Sequence, residues 1–312
     1  MWNKPVFLLD HETTRATSSL VANTNLTLEE TIRVWRGQTP ASPTPNKALN
    51  SKCFEWLLHG YDHLDQLIST ATHGWVQHEF RVAGIPYNRP VPNHKSASVM
   101  RNALIRSIRK GQRDGTYLVV SKAVAEYWKL HYSPFGCVEK ADADPDIEAR
   151  VIHDLSSPAG SSTNAWSDQD DIPKLVYELV DVIARRIIEL KIANPSLLIK
   201  LMKGDVNSAY KNLHVHEAVS AYFAGTIHDE DVVVIDLALP FGWTSSAAHY
   251  GVFGKAISFL VRHESPNSLN PSDPDAALFF CYDWVDDHGL VEHDTGNRLA
   301  ACDSALQLAM VA

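Results

Sequence analysis

The chain has 312 residues, of which 45% are hydrophobic and 21% are charged, and its formal net charge is −9. This composition is typical of a globular protein with one large core or two smaller ones, and it excludes a fibrous or disordered chain. The acidic balance counts against nucleic-acid binding over the whole surface, but not against a local basic groove.

The compartment is predicted from the terminus, the apolar runs and the cysteines. No apolar run is long enough to span a bilayer, and the first residues lack the apolar stretch of a secretory signal. The four cysteines have no CxxC spacing, which predicts neither a zinc site nor a disulfide framework. We therefore expect an intracellular protein, cytoplasmic or nuclear and not secreted, without a membrane partner.

Residues 1–95 are predicted to form a partly helical N-terminal region with a proline-rich linker at 37–47. Apolar residues at helical spacing then predict a helix over 48–71. His59 and His63 lie four residues apart on this helix, which is a spacing used by metal sites. No third ligand is evident, and a solvated helix face is the favoured interpretation.

The next predicted helix, over 94–113, is the one dense basic segment of an acidic chain. Its cations are Arg101, Arg106, Arg109, Lys110 and Arg113. The pattern supports two interpretations equally: a solvated helix face, or a track for a phosphate backbone.

A strand at 117–120 and a helix around 121–131 precede a predicted β-hairpin. Lys140 lies on one arm and Arg150 on the other, and the segment 139–148 forms an acidic bend. The hairpin therefore presents two cations that could serve an anionic ligand.

A long helix is predicted to open at 170–173, where acidic residues and proline suit a helix start, and to end at 194. A strand over 197–204 follows and leads to Asp205. This order places a carboxylate at the end of a strand.

Two more strands are predicted at 213–224 and 231–238, followed by a turn at 239–243. His214 and His216 alternate along the first of these strands, so we expect them on one exposed face.

The predicted elements end with a helix over 244–263, a β-hairpin, and a last helix over 296–311. The hairpin has Asp286 and Asp287 at its bend. On this stretch alone a solvated turn is the favoured interpretation, because aspartate is common in turns. The other interpretation is a divalent metal, because Mg²⁺ takes carboxylate and phosphate oxygens.

The order of the predicted elements favours the metal-site interpretation of Asp286 and Asp287 over a solvated turn. Without the insertion at 211–240, the chain from the strand before Asp205 onward reads strand, helix, hairpin, helix, which is a β-α-β-β-α-β unit without its final strand. The first strand and the hairpin can be neighbours in such a sheet. Asp205 is then expected to face Asp286 and Asp287, and three carboxylates at a sheet edge suit two-metal phosphoryl transfer.

Four motifs, in this order, resemble those of the reverse transcriptases of retrotransposons and retroviruses, over about residues 115–311. The motifs are Arg150-Val151-Ile152-His153-Asp154-Leu155, Lys203-Gly204-Asp205-Val206-Asn207-Ser208-Ala209-Tyr210, Leu239-Pro240-Phe241-Gly242-Trp243 and Trp284-Val285-Asp286-Asp287.

The resemblance implies an α+β fold made of the fingers and palm of a right-hand polymerase, with a β-α-β-β-α palm that lacks its last strands, and no thumb. The fingers would cover 96–170 and 211–240, and the palm 171–210 and 241–312. The implied activity is that of an RNA-directed DNA polymerase, which adds deoxynucleotides to a primer 3′-OH on an RNA or DNA template. The chain would be a fragment whose polyprotein continues beyond it.

The resemblance also implies residue roles. Asp205, Asp286 and Asp287 would be the catalytic carboxylates. Together with the backbone carbonyl of Val206 they would hold two Mg²⁺ ions, or Mn²⁺, with Asp287 acting more by its charge than as a ligand. The residues implied to bind the deoxynucleoside triphosphate are Lys140, Arg150, Tyr210, Phe241 and Gly242. Tyr210 would also disfavour a 2′-hydroxyl. Apart from the resemblance, the charge of the basic helix is the reason to expect that its cations bind the template strand.

Two other functions remain open. One is a catalytically inactive retroelement remnant that at most binds nucleic acid, which the truncation after the palm motif and the net charge of −9 favour. The other is a metal-dependent nuclease, which would use the same carboxylates but would have no need for Tyr210 or for the hairpin of Lys140 and Arg150.

Overall fold

A computed structural model describes residues 4–75, 86–168, 172, 174 and 176–312. The fold is mixed α+β with small antiparallel sheets, as the sequence predicts. The chain divides into two compact units, each built from three separate segments. Unit 1 contains Met1–Leu49, Thr70–Ile172 and Tyr210–Ser246, and unit 2 contains Asn50–Ser69, Pro173–Ala209 and Ala247–Ala312.

The α-helices of the described residues are α1 (His11–Thr24), α2 (Leu28–Trp35), α3 (Ser51–Leu57), α4 (Leu64–His73), α5 (Lys95–Val99), α6 (Arg101–Arg113), α7 (Lys122–Ala125), α8 (Thr163–Trp166), α9 (Asp181–Ala193), α10 (Ser246–Arg262), α11 (Pro266–Leu269) and α12 (Arg298–Val311). The strands are β1 (Tyr117–Ser121), β2 (Phe135–Glu139), β3 (Ala149–His153), β4 (Ile199–Asp205), β5 (Ala224–Ile227), β6 (Val232–Asp236), β7 (Cys281–Trp284) and β8 (Asp287–His293). Within these described ranges, no helix is both long and apolar enough to cross a bilayer.

Unit 1 is built around the antiparallel sheet β1-β6-β5, which is buried on both faces. Side chains alternate across a strand, so β1 sends Val119 to one face and Leu118 to the other. Val119 joins a cluster with Leu104 and Ile108 of α6, while Leu118 joins a cluster with Ile32 of α2. The hairpin of β2 and β3 adds Phe135 to the α6 cluster.

Unit 2 contains the antiparallel sheet β4-β8-β7, with α10 and α12 contributing to its core. Gly204 of β4 lies under α12, where a Cβ would come within 2.6 Å of the Leu306 side chain. The fully buried Glu292 of β8 accepts hydrogen bonds from Arg298 of α12 at 2.7 Å and from the Phe280 N–H at 2.8 Å. The first of these contacts joins β8 to the last helix, and the second joins it to the residue before β7. The predicted strand before Asp205, the aspartate hairpin and the last helix are confirmed.

The helix predicted over 48–71 is wrong, because α3 and α4 are separate. Gly60 has φ +87°, which interrupts the helical backbone. His59 and His63 both lie in the break and are exposed. They therefore do not share the face of one helix.

Two other helices are shorter than predicted. The basic helix over 94–113 breaks at Met100 into α5 and α6. The helix around 121–131 is only α7, because the chain leaves it to hydrogen-bond elsewhere: the His131 N–H donates to the Ala221 carbonyl, and Tyr132 forms a β-bridge with Ala224. Pairing with a distant segment outweighs local helix propensity here.

The long helix predicted from 170–173 begins only at Asp181, as α9. Residues 170, 171, 173 and 175 lie outside the described residues. Before α9 the chain is held by tertiary contacts instead: Tyr177 packs on Trp284 with ring centroids 4.7 Å apart, and the Tyr282 hydroxyl donates to the Glu178 carbonyl at 2.9 Å.

The strand predicted over 213–224 is also wrong. His216 accepts a hydrogen bond from the Ala218 N–H, and a 3₁₀ helix, Glu217–Tyr222, follows. Another 3₁₀ helix, Ala209–Asn212, precedes it. His214 is buried rather than exposed.

Candidate metal centre

The pairing of β4 with β8 brings three carboxylates together. Asp205, the last residue of β4, lies directly opposite Asp287, the first residue of β8. Asp286 occupies the bend before β8, and its carbonyl accepts a hydrogen bond of 3.0 Å from the Val206 N–H. One ligand oxygen from each of the three carboxylates can be chosen such that all lie within 4.8 Å of one another.

The bend that carries Asp286 is a two-residue loop, because Trp284 pairs with Asp287. Val285, its first residue, has φ +58°, which is unfavourable for a β-branched side chain and costs about 1–3 kcal/mol. Helix α10 lies against the loop at Gly254, where a Cβ would be 2.8 Å from the Val285 carbonyl oxygen. The bend conformation therefore depends on close packing of the α10 backbone.

The electrostatics of the cluster suit a cation. Burial and the neighbouring charges of Asp286 and Asp287 raise the pKa of Asp205, because each penalises its ionised form. A divalent ion would relieve this repulsion. All available side-chain donors are carboxylate oxygens, which is the ligand type that Mg²⁺ and Mn²⁺ prefer. The three aspartates therefore fit such a metal.

Lys203 is a member of the cluster that the sequence analysis missed. Its Nζ lies 2.9 Å from an Asp287 carboxylate oxygen, and that hydrogen bond raises the pKa of Lys203. A signal was present in the sequence: Lys203 lies two residues before Asp205, so both side chains leave the strand on the same face.

The residues that the resemblance assigns to the nucleotide lie in unit 1. Lys140 follows β2 and forms an ion pair with Glu148 at 2.6 Å, while Arg150 lies exposed on β3 opposite Val138. The acidic bend thus supplies a partner to Lys140 that the sequence analysis did not identify.

Tyr210 and Phe241 stack with ring centroids 6.0 Å apart. Tyr210 belongs to the 3₁₀ helix Ala209–Asn212. The next residue, Lys211, fixes that helix to β6. The Lys211 Nζ lies 2.7 Å from the buried carboxylate of Asp236 and 4.4 Å from the centroid of the Tyr117 ring. A buried ion pair therefore positions the segment that carries Tyr210.

Gly242 is required by close backbone packing. Its φ is +136°, and a Cβ at this position would come within 2.0 Å of the His153 carbonyl oxygen. The loop is further held by hydrogen bonds from the His153 N–H to the Phe241 carbonyl at 3.3 Å, and from the Asn164 side chain to the Gly242 carbonyl at 2.8 Å. The loop that carries Phe241 and Gly242 is therefore held against the end of β3.

Acidic neighbours pair with most cations of α6. The pairs are Arg101 with Asp229 and Glu230, Arg106 with Glu148 at 3.2 Å, and Lys110 and Arg113 with Asp114 at 3.2 and 3.0 Å. Hydrogen bonds from Thr13, and then the charge of Arg109, lower the pKa of Asp10. Because acidic groups of the chain itself offset these charges, α6 attracts a phosphate backbone less strongly than its sequence suggests.

No protein-family model matches the chain, and a search of curated proteins gives no significant match. The assignment of function therefore depends on the motifs and on the geometry of the site.

Proposed function

We propose that the chain is the fingers and palm fragment of a retroelement RNA-directed DNA polymerase, which transfers deoxynucleotides to a primer 3′-OH. The observation that supports this most directly is the meeting of Asp205, Asp286 and Asp287 across the β4–β8 pair. These are the carboxylates of the two palm motifs. They come from segments more than 80 residues apart, so local sequence bias does not account for the cluster.

The carboxylates and the backbone of unit 2 provide the proposed metal-binding site. Asp205, Asp286 and the carbonyl of Val206 would hold Mg²⁺ or Mn²⁺, and Asp287 would contribute its charge. When bound, the ions would stabilise the attacking and leaving oxygens of the displacement. The chain's own contribution is to fix the carboxylates on a strand end and a tight bend, so that little reorganisation is needed.

The nucleotide-binding roles are proposed from the resemblance. Arg150 would bind the triphosphate as a planar fork and Lys140 as a point charge. Because Lys140 is paired with Glu148, the triphosphate must compete with that carboxylate. Tyr210, stacked on Phe241, would restrict the space for a 2′-hydroxyl.

The first prediction tests the metal-binding carboxylates by primer extension on a poly-ribonucleotide template, with Mg²⁺ or Mn²⁺. Asp286→Asn keeps the size of the side chain and removes its charge, so we expect extension to fall below detection. Asp294→Asn is the matched control, because it makes the same change at an exposed position just beyond the other end of β8. Unchanged extension in Asp286→Asn would exclude the proposed mechanism.

An inactive remnant that binds nucleic acid is the second candidate. The ion pairs of α6 and of Lys140 favour it, because they reduce the cationic surface open to a template. The discriminating result is a sample that is folded by circular dichroism, binds a labelled primer–template by fluorescence anisotropy, and gives no extension. A nuclease would instead shorten the labelled strand in the same assay.

A further inference from the structure

Lys203 lies on the open face of β4. Side chains alternate along this strand, so Lys203 and Asp205 are exposed, while Met202 packs into the core that contains α12. The residue opposite Lys203 on β8 is Gly289, which has no side chain. Lys203 can therefore lean along the sheet, and its Nζ reaches Asp287 at 2.9 Å.

This ion pair changes the charge that the cluster presents to a metal. Asp205 and Asp287 are directly opposed like charges, an arrangement that destabilises a β-ladder unless a cation compensates it. Lys203 supplies that cation. Three carboxylates and one ammonium leave a net charge of −2 rather than −3. The ammonium also takes up a carboxylate oxygen that a metal would otherwise use.

We propose that Lys203 is a positioning residue that keeps Asp287 out of the metal-ligating set, so that Asp205 and Asp286 bind the divalent cation while Asp287 remains paired with the ammonium. The inference rests on the proposed function and deepens it, because it names the residue that gives two adjacent aspartates different roles. It also predicts that the chain binds metal less tightly than its three carboxylates would allow.

The second prediction concerns Mn²⁺ affinity, measured on the full chain by electron paramagnetic resonance of the free ion, without nucleotide or template. Lys203→Met is expected to tighten Mn²⁺ binding about tenfold, because it releases Asp287 and removes a nearby positive charge. Lys203→Arg keeps the pair and is expected to bind Mn²⁺ as the wild type does. Lys200→Met is the matched control, because it removes the same charge from the same strand. Lys200 lies opposite Glu292, toward the other end of the β4–β8 pair from the aspartate cluster.

A double-mutant cycle then tests whether Lys203 acts through Asp287. Asp287→Asn alone is expected to weaken Mn²⁺ binding, because it removes a negative charge beside the metal, and in that background Lys203→Met should gain clearly less than tenfold. The inference is overturned if Lys203→Met leaves affinity unchanged or weakens it. A full tenfold gain in the Asp287→Asn background overturns it as well, because the lysine would then act only through its long-range field.

Failure of the proposed function gives different results. If Asp205→Asn and Asp286→Asn both bind Mn²⁺ as the wild type does, the cluster holds no metal, and both the function and the inference are overturned. If Mn²⁺ binding depends on those aspartates and on Lys203 as expected, but primer extension is absent, the polymerase function fails while the role of Lys203 is supported. Circular dichroism of each variant checks that the fold is retained.

Discussion

Single backbone positions determine where the candidate site residues lie. Gly242 is the clearest case, because its positive φ and its contact with the His153 carbonyl each exclude a side chain. The contact holds the loop of Phe241 against the end of β3. A change at Gly242 should therefore disturb a residue assigned to the nucleotide, although glycine itself offers no group to bind it.

The third prediction separates the two constraints at Gly242. Gly242→Ala is expected to lower the free energy of unfolding by about 3 kcal/mol, from unfavourable φ and a steric clash together. Gly115→Ala, also in unit 1, has φ +74° with no atom within 4 Å of its Cβ, so we expect a loss of only about 1 kcal/mol. Urea unfolding of both variants measures the difference. Equal losses would show that the close contact with His153 is absent.

The fourth prediction concerns the buried His214. Burial, and then the charge of Arg36, lower the pKa of His214 to about 3, whereas the unfolded chain restores a value near 6.5. Between these values the unfolded state binds a proton that the folded state does not. The free energy of unfolding therefore falls as pH decreases, by up to about 1.4 kcal/mol per pH unit for this group.

The test of this pH dependence is urea unfolding of the wild type and of His214→Gln from pH 7 to pH 4. The variant is expected to have a shallower slope, because the titrating group is gone. His59→Gln, at an exposed position, provides the matched control. Parallel curves for the wild type and His214→Gln would contradict the expectation.

At the residue scale the sequence predicts the aspartate cluster better than its surroundings. Asp205, Asp286 and Asp287 end up together because alternation and hairpin chemistry specify the ends of strands. The burial of His214 was not predictable, because it depends on the 3₁₀ helix that replaces the expected strand. The partner of Lys140 was missed because an ion pair across a hairpin depends on the course of its bend.

At the scale of the elements, α10 influences the candidate site because it packs against the bend that carries Asp286. A glycine in the middle of a helix normally lowers stability by about 1 kcal/mol relative to alanine. Gly254 lies in the middle of α10 and is expected to lower the stability of the helix by this amount. Because it has no side chain, the Val285 carbonyl can approach the helix. The strained bend with Asp286 thus packs against α10 at a glycine, where there is room for the Val285 carbonyl.

The fifth prediction is that Gly254→Ala weakens metal binding although it favours the helix. The new Cβ would lie 2.8 Å from the Val285 oxygen, so the bend and Asp286 must move. We expect the Mn²⁺ affinity, measured by electron paramagnetic resonance of the free ion, to fall severalfold. Gly60→Ala, also in unit 2 but with no atom within 4 Å of its Cβ, should leave affinity unchanged. A more stable Gly254→Ala variant with wild-type affinity would show that α10 does not position the bend.

Element prediction succeeded where local signals agree with tertiary packing. β4, the aspartate hairpin and α12 follow from alternation, turn chemistry and helical spacing. It failed where a distant segment supplies the hydrogen bonds, as after α7, or where aromatic packing replaces a helical turn, as before α9. Local periodicity contains no information about such partners.

On the scale of the whole molecule, chain order and spatial order differ. Each unit combines three segments, and the insertion between β4 and α10 belongs to unit 1. This arrangement was partly predictable, because setting the insertion aside reveals the β-α-β-β-α order. The assignment of residues 50–69 to unit 2 had no visible signal in the sequence, since a helix can pack its apolar side against any core.

The pairing of β4 with β8 has a consequence for how the protein is made. Asp205 can meet Asp287 only after the ribosome has released the intervening residues, and the sheet of unit 2 needs the chain through His293. Contacts between segments so far apart carry a large loop-closure entropy and form slowly. We therefore expect the carboxylate cluster to assemble late in folding. During synthesis β4 has no β8 to pair with, so the hydrogen-bonding groups along its edge are unpaired. At this stage the nascent chain can associate with other chains through that edge.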